Sequence, residues 1–146
     1  PHPLCESCPC VNFCISRQNR TQEERPLLTP KRGRRQEFYT VFILSCEGRI
    51  ALCKRPGSGL LGGLWQLPNV AGTLSLEEAL QEAQAWGLSP LAPEQTLKRK
   101  HIFTHLEWRM TAYRIRCAQA AQAFQWVRPE EMERDYALPT AFRQFL

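Results

Sequence analysis

Apolar and β-branched residues first concentrate at EFYTVFIL (37–44), and that composition predicts a strand. Glu47-Gly48 then turns the chain into a second strand, RIALCKR (49–55), making a hairpin. PGSGLLGGLWQLP (56–68) breaks the pattern: glycines at 57, 59, 62 and 63 crowd in before Trp65, as in a loop rather than a strand interior. Ser75 and Glu78 form a capping box. It opens a helix to about Trp86, with Leu76, Ala79, Leu80 and Ala83 on one face and Gly87 as the stop. TLKRKHIF (96–103) and EWRMTAYRIR (107–116) alternate like a strand pair around Thr104-His105-Leu106, and FQWV (124–127) is a further short strand. Pro129 begins a helical turn through Glu130, Glu131 and Met132, and Leu138-Pro139-Thr140 caps a last short helix ending at Leu146. This order gives an α+β class, a mixed β-sheet packed with helices.

The chain has 146 residues, 43% hydrophobic and 23% charged, enough for one cored domain with an appendage. It has no apolar run of about eighteen residues, so neither a membrane span nor a membrane partner is expected. The opening Pro1-His2-Pro3-Leu4-Cys5 has no initiating Met and no secretory pattern, and reads as a piece of something longer. The net charge of +5 is concentrated. Residues 17–35 hold Arg17, Arg20, Arg25, Lys31, Arg32, Arg34 and Arg35 against Glu23 and Glu24, with Pro26 and Pro30 and no helical or strand period. That describes a solvated basic linker, expected to be mobile and suited either to solubility or to phosphates.

Cys46, Cys53 and Cys117 fall in strand-like runs and read as buried and unpaired. Cys5, Cys8, Cys10 and Cys14 crowd into CESCPCVNFC, an irregular segment too polar to pack as a core. An odd cysteine total without a secretion signal argues against a disulfide scaffold, and four close thiols suit a metal, zinc or an iron–sulfur cluster alike. The spacing Cys5-x2-Cys8-x5-Cys14 resembles the last three ligands of the cluster loop in helix-hairpin-helix DNA glycosylases. That resemblance implies a 4Fe–4S cluster whose fourth ligand lies upstream, seven residues before Cys5. The cluster would then be absent or incomplete here, and Cys10 would be a spectator.

GLLGGLWQLP (59–68), HIFTHLEW (101–108) and ALPTAFRQFL (137–146), behind the cysteine loop, resemble the C-terminal domain of the MutY adenine DNA glycosylase family. The resemblance covers nearly the whole chain in order. It implies an end of the cluster loop at 1–16, a basic linker at 17–35, and a Nudix-like domain at 36–146. The rival is a working Nudix pyrophosphohydrolase acting on oxidised nucleotides, whose helix needs paired glutamates around Mg²⁺. Anchored on Gly87-Leu88, the required Arg-Glu pair falls on Leu80-Gln81 and the Glu-Glu pair on Gln84-Ala85. Neither charged pair survives, so no Mg²⁺ is expected and hydrolysis is disfavoured. Glu77, Glu78 and Glu82 read as a cap and a solvated face. A zinc-linked interaction module is the third alternative.

The function the resemblance implies is DNA base-excision repair: recognition of 8-oxoguanine opposite adenine, so that an upstream catalytic domain removes the adenine. Guanine presents an acceptor at N7, whereas 8-oxoguanine presents N7–H and adds O8. Phe103-Thr104-His105 matches the family's F-S-H motif, with Thr104 keeping a hydroxyl that accepts from N7–H. Phe103 reads equally as a wedge at the lesion or as core packing; His105 reads as shaping the loop or contacting phosphate, and His101 as structural. Lys98, Arg99 and Lys100 form a basic run. Lys98 and Lys100, with Arg17, Arg20, Lys31, Arg32, Arg34 and Arg35, are the candidate contacts to the DNA backbone. Trp65 reads as packing. No residue here is a catalytic candidate, and the excision chemistry belongs to the parent glycosylase. The implied partners are duplex DNA with 8-oxoguanine:adenine mispairs and the catalytic domain of the same chain, the protein being a monomer. The implied compartment is the bacterial nucleoid, or a eukaryotic nucleus or mitochondrion, without secretion.

Overall fold

The computed structural model describes residues 2–27 and 33–146, and the chain divides into two compact units between Gly33 and Arg34. Lys31 and Arg32 lie outside the described residues. The first unit has a 3-10 turn at Cys5–Ser7, helix α1 at Ile15–Gln18 and a second 3-10 turn at Gln22–Glu24. The sequence suggests no helical period in residues 17–35. Yet α1 crosses into that stretch, its end closed by the Asn19 N–H on the Ile15 carbonyl at 2.9 Å and the Thr21 N–H on Ser16 at 2.8 Å. One turn is too short to show a period in sequence. None of the three elements buries a residue, so hydrogen bonds rather than a core hold them.

In the second unit a seven-stranded sheet runs β3-β2-β1-β6-β5, with β4 also on β1 and β7 on β2. The strands are β1 Arg35–Cys46, β2 Arg49–Lys54, β3 Trp65–Gln66, β4 Asn69–Ala71, β5 Pro90–Ile102, β6 Leu106–Cys117 and β7 Gln125–Val127. The helices are α2 Leu76–Ala85, α3 Pro129–Asp135 and α4 Thr140–Arg143. This is the expected α+β class, with the β1–β2 and β5–β6 hairpins in place. Arg35 is the first residue of β1 rather than part of the linker. β5 starts six residues earlier than its alternation suggests. Pro90 and Pro93 sit at register shifts on this outer strand, where a missing N–H costs no ladder bond.

β1 and β6 pair in parallel from Arg35↔Leu106 to Ser45↔Arg116, and the other pairings are antiparallel. On one sheet face Val41, Ile43, Trp108 and Met110 pack with Met132 of α3 and Ala141 and Phe142 of α4. On the other, Phe42, Leu44, Tyr113 and Ile115 pack against Ala79 and Ala83 of α2. Leu76, expected on the buried face of α2, is exposed, because the first turn projects past the sheet. Cys46 and Cys117 are buried and Cys53 is half-buried; burial, with Cys46 adding, pushes the Cys117 thiol up to about 11. Trp65 packs edge-on against Tyr136 at 5.0 Å, as its packing role requires. Among the described residues no helix is long and apolar enough to cross a membrane.

Two polar groups, the buried Thr40 and the half-buried Glu37, fasten this frame. Thr40, wholly buried in β1, donates its hydroxyl to the Gly72 carbonyl at 3.0 Å and accepts the Leu74 N–H at 2.8 Å. The Glu37 carboxylate accepts from the Trp108 indole at 3.0 Å, from the Tyr39 hydroxyl at 3.1 Å, and from Arg35. Desolvation raises the Glu37 pKa, but these donors and the Arg35 charge outweigh it and leave the pKa below its ordinary value.

Thr40→Val should cost about 1–3 kcal/mol, since it strands a buried N–H, read as a lower urea midpoint at unchanged slope. Glu37 titrates lower folded than unfolded. It therefore stabilises the fold above the unfolded value of 4.5, and that contribution disappears as pH falls through the folded value. Urea midpoints measured from neutrality to about pH 3 should fall more steeply for the wild type than for Glu37→Gln.

Candidate nucleic-acid interface

The β5–β6 hairpin ends in the turn Phe103-Thr104-His105, and backbone bonds fix the turn from two sides. The Phe103 N–H donates to the Leu106 carbonyl at 2.8 Å, closing the loop on itself. The Arg35 N–H donates to the His105 carbonyl at 3.2 Å, tying the turn to the start of β1. Thr104 and His105 are exposed. Among the described residues neither of their backbone N–H groups donates within the protein, and the Thr104 hydroxyl has no partner. The tip therefore offers two donors and one hydroxyl on a fastened backbone.

Phe103 is half-buried, its ring edge-on to Trp108 at 5.0 Å and to His101 at 4.6 Å. Trp108 is buried against Tyr39 at 5.0 Å and Phe142 at 6.0 Å, with the Arg55 guanidinium 5.5 Å from its ring centre. Of the two sequence readings of Phe103, this geometry supports packing: the ring anchors the turn to the core. Glu37, Trp108 and Arg55, which hold this anchor, were not singled out from sequence. Glu37 carried a signal nonetheless. It alternates with Tyr39, Val41 and Ile43, and a carboxylate on a buried face needs donors.

The other candidates are dispersed. Lys98 and Lys100 stand on β5 opposite Thr111 and Arg109. Arg34 is exposed just before β1, and Arg35 is engaged by Glu37. In the first unit Arg17 donates to the Cys5 carbonyl at 3.3 Å, and Arg20 adopts a left-handed backbone with φ of 56°. Cys5, Cys8 and Cys14 are half-buried free thiols. Among the described residues they do not come together, with each other or with carboxylates or imidazoles, as a group able to hold a metal ion. As they stand they do not fit a cluster, and no chemistry is derived through one.

On α2 Glu78 serves the helix end. Glu78 accepts from the Ser75 N–H at 2.7 Å and from its hydroxyl at 2.8 Å, and these bonds lower its pKa. Leu80, Gln81, Gln84 and Ala85 occupy the positions where a hydrolase of this fold carries its charged pairs.

Residues 39–146 match the family model described as NUDIX domain. The adenine DNA glycosylase of Arabidopsis thaliana is 38% identical over 82 residues, which is 47% of this chain and 13% of that protein. The adenine DNA glycosylase of Rattus norvegicus is 32% identical over 101 residues, 62% of this chain and 20% of that protein. The chain thus matches a fifth or less of these relatives' lengths. Among solved structures, the C-terminal domain of mouse MUTYH, crystallised in complex with human PCNA, matches with a TM-score of 0.58 and 27% identity, covering 75% of this chain and 84% of that one. With the model match spanning the sheet and its helices, the chain belongs to the NUDIX domain family, as a MutY-like domain.

Proposed function

We propose that this chain is the lesion-recognition domain of an adenine DNA glycosylase, serving base-excision repair by reading 8-oxoguanine opposite adenine. The observation that carries the reading is the unpartnered Thr104 hydroxyl at the tip of a turn fastened on both sides. A lone pair on that hydroxyl meets N7–H of the oxidised base, and the undonated N–H groups of Thr104 and His105 suit O8. The likeness to adenine DNA glycosylases and to the MUTYH domain supports the same reading.

His105 and the cations Lys98, Lys100, Arg17, Arg20, Lys31, Arg32, Arg34 and Arg35 serve the DNA backbone in this reading. Excision itself needs acid–base groups acting on a flipped adenine. Those belong to a further domain of the same protein, to which this chain contributes selection of the substrate. In this reading Cys5, Cys8 and Cys14 would serve a cluster only once drawn together with a fourth thiolate from the rest of the protein. The protein acts wherever that DNA resides.

The test is Thr104→Val in the whole glycosylase. Preference for 8-oxoguanine:adenine over guanine:adenine should fall by about 2- to 10-fold, the worth of one hydrogen bond, while excision from guanine:adenine persists. Thr104→Ser should retain the preference. An unchanged preference in single-turnover kinetics for the valine variant would remove Thr104 from this role.

A further inference from the structure

The sheet face that carries α2 is covered over only part of its length. Cross-strand rows, read from the pairing registers, show where the cover stops. Phe42 and Tyr113 lie in the core with α2, and Thr40 beside Thr111 is closed over by the Gly72–Leu74 turn. The next row is Phe38, Arg109 and Lys100, followed by Gln36, Glu107 and Ile102. Here Phe38 is 47% exposed and Ile102 46%. A groove of about 580 Å³ opens over this part, lined by Phe38, Thr73, Lys98, Lys100, Arg109 and Thr111 among others.

A wet strand face with lysines is ordinary. An aromatic ring left half-bare at the end of a cationic row is not, because burying it would be favourable if anything covered it. Four cations line the groove: Lys98, Arg99, Lys100 and Arg109. Arg109 is held by Glu107 at 2.9 Å, while Lys98 and Lys100 make no ion pair among the described residues. No acidic side chain lines the groove itself.

We propose that this groove is a second DNA contact, separate from the turn, which grips the phosphodiester backbone of the duplex flanking the lesion. A backbone strand carries anionic phosphates joined by less polar sugars, and the groove sets its cations beside one bare aromatic ring, Phe38. Lys98 and Lys100 share a face two residues apart, about 6.8 Å, matching about two base-pair rises along a duplex. Lys100 lies four residues from Thr104, about 13 Å along the strand, so both contacts fall on one short site. The grip rests on the function proposed above, which assigns Lys98 and Lys100 to the DNA backbone, and the groove adds Phe38 and Arg109 to it.

The experiment titrates the 146-residue chain with two fluorescent duplexes, one holding 8-oxoguanine:adenine and the other undamaged, at salt between about 50 and 200 mM. Lys98→Gln, Lys100→Gln and Arg109→Gln should each weaken both duplexes by the same factor. Each should also shrink the slope of log affinity against log salt by about 0.9. Phe38→Ala should weaken both several-fold with the slope unchanged. In all four variants the ratio between duplexes should persist, and thermal melts should stay near the wild type, since these side chains lie outside the core. If Thr104→Val leaves the ratio unmoved while the groove variants change the slopes, the lesion reading fails and the groove stands. Unchanged affinities and slopes in the groove variants would overturn the proposal. So would a wild-type chain that binds neither duplex, or one that holds polyglutamate as tightly as DNA.

Discussion

The parallel ladder between β1 and β6 is the constraint on which the rest of this domain depends. Parallel strands cannot be joined by a tight turn, so the chain leaves β1 and returns only after β2 to β5 and α2 have been laid down. Both strands thereby become interior, and along the unbroken run Val41-Phe42-Ile43-Leu44 β1 is buried on both faces. A slip of one residue would turn every side chain to the wrong face. With the register set, Glu37 stands beside Trp108 and Arg35 reaches the His105 carbonyl. The shape of the distant turn is in this way an outcome of the central pairing.

What the sequence disclosed follows the range over which each feature is decided. The α2 cap, its glycine stop and the two hairpins depend on neighbours a few residues apart, and they were legible. The start of β5 was not, because prolines obscure alternation and only the sheet shows that this strand lies at an edge. The turns at Ile15–Gln18 and Gln22–Glu24 fall below any detectable period. Leu76 kept the spacing of a buried position, yet the helix begins before the sheet can cover it. Phe103 was undecided in sequence because a wedge and an anchor call for the same residue; the contact with Trp108 comes from a strand on the far side of the turn. The thiols at 5, 8 and 14 have suggestive spacing, but spacing alone does not draw them together.

Membership of the NUDIX family fixes the fold and leaves the chemistry to be argued from the residues. The helix that would carry a hydrolase's carboxylates here keeps its packing side, Ala79 and Ala83, and uses Glu78 to close its own first turn. With Leu80 and Ala85 in place of charged residues, it can brace the sheet but offers a divalent ion few hard oxygens. Chemistry-bearing groups concentrate instead on the β5–β6 hairpin: the hydroxyl and undonated N–H groups at its tip, and the cations along its open face.

For the proposed function, that separation suits the physics of reading one altered base. A hydroxyl can turn to donate to an ordinary N7 as well as accept from N7–H, so Thr104 alone discriminates by only about one hydrogen bond, roughly 0.5–1.5 kcal/mol. Raising the overall grip at the turn would not help, because affinity shared by both bases cancels from the ratio. Holding the duplex through phosphates elsewhere leaves the turn free to be weak but well placed. The Phe103–Trp108 contact and the Arg35–His105 bond then matter more than any further donor. A loosely held turn could adjust to ordinary guanine, and the small difference it is built to sense would be lost.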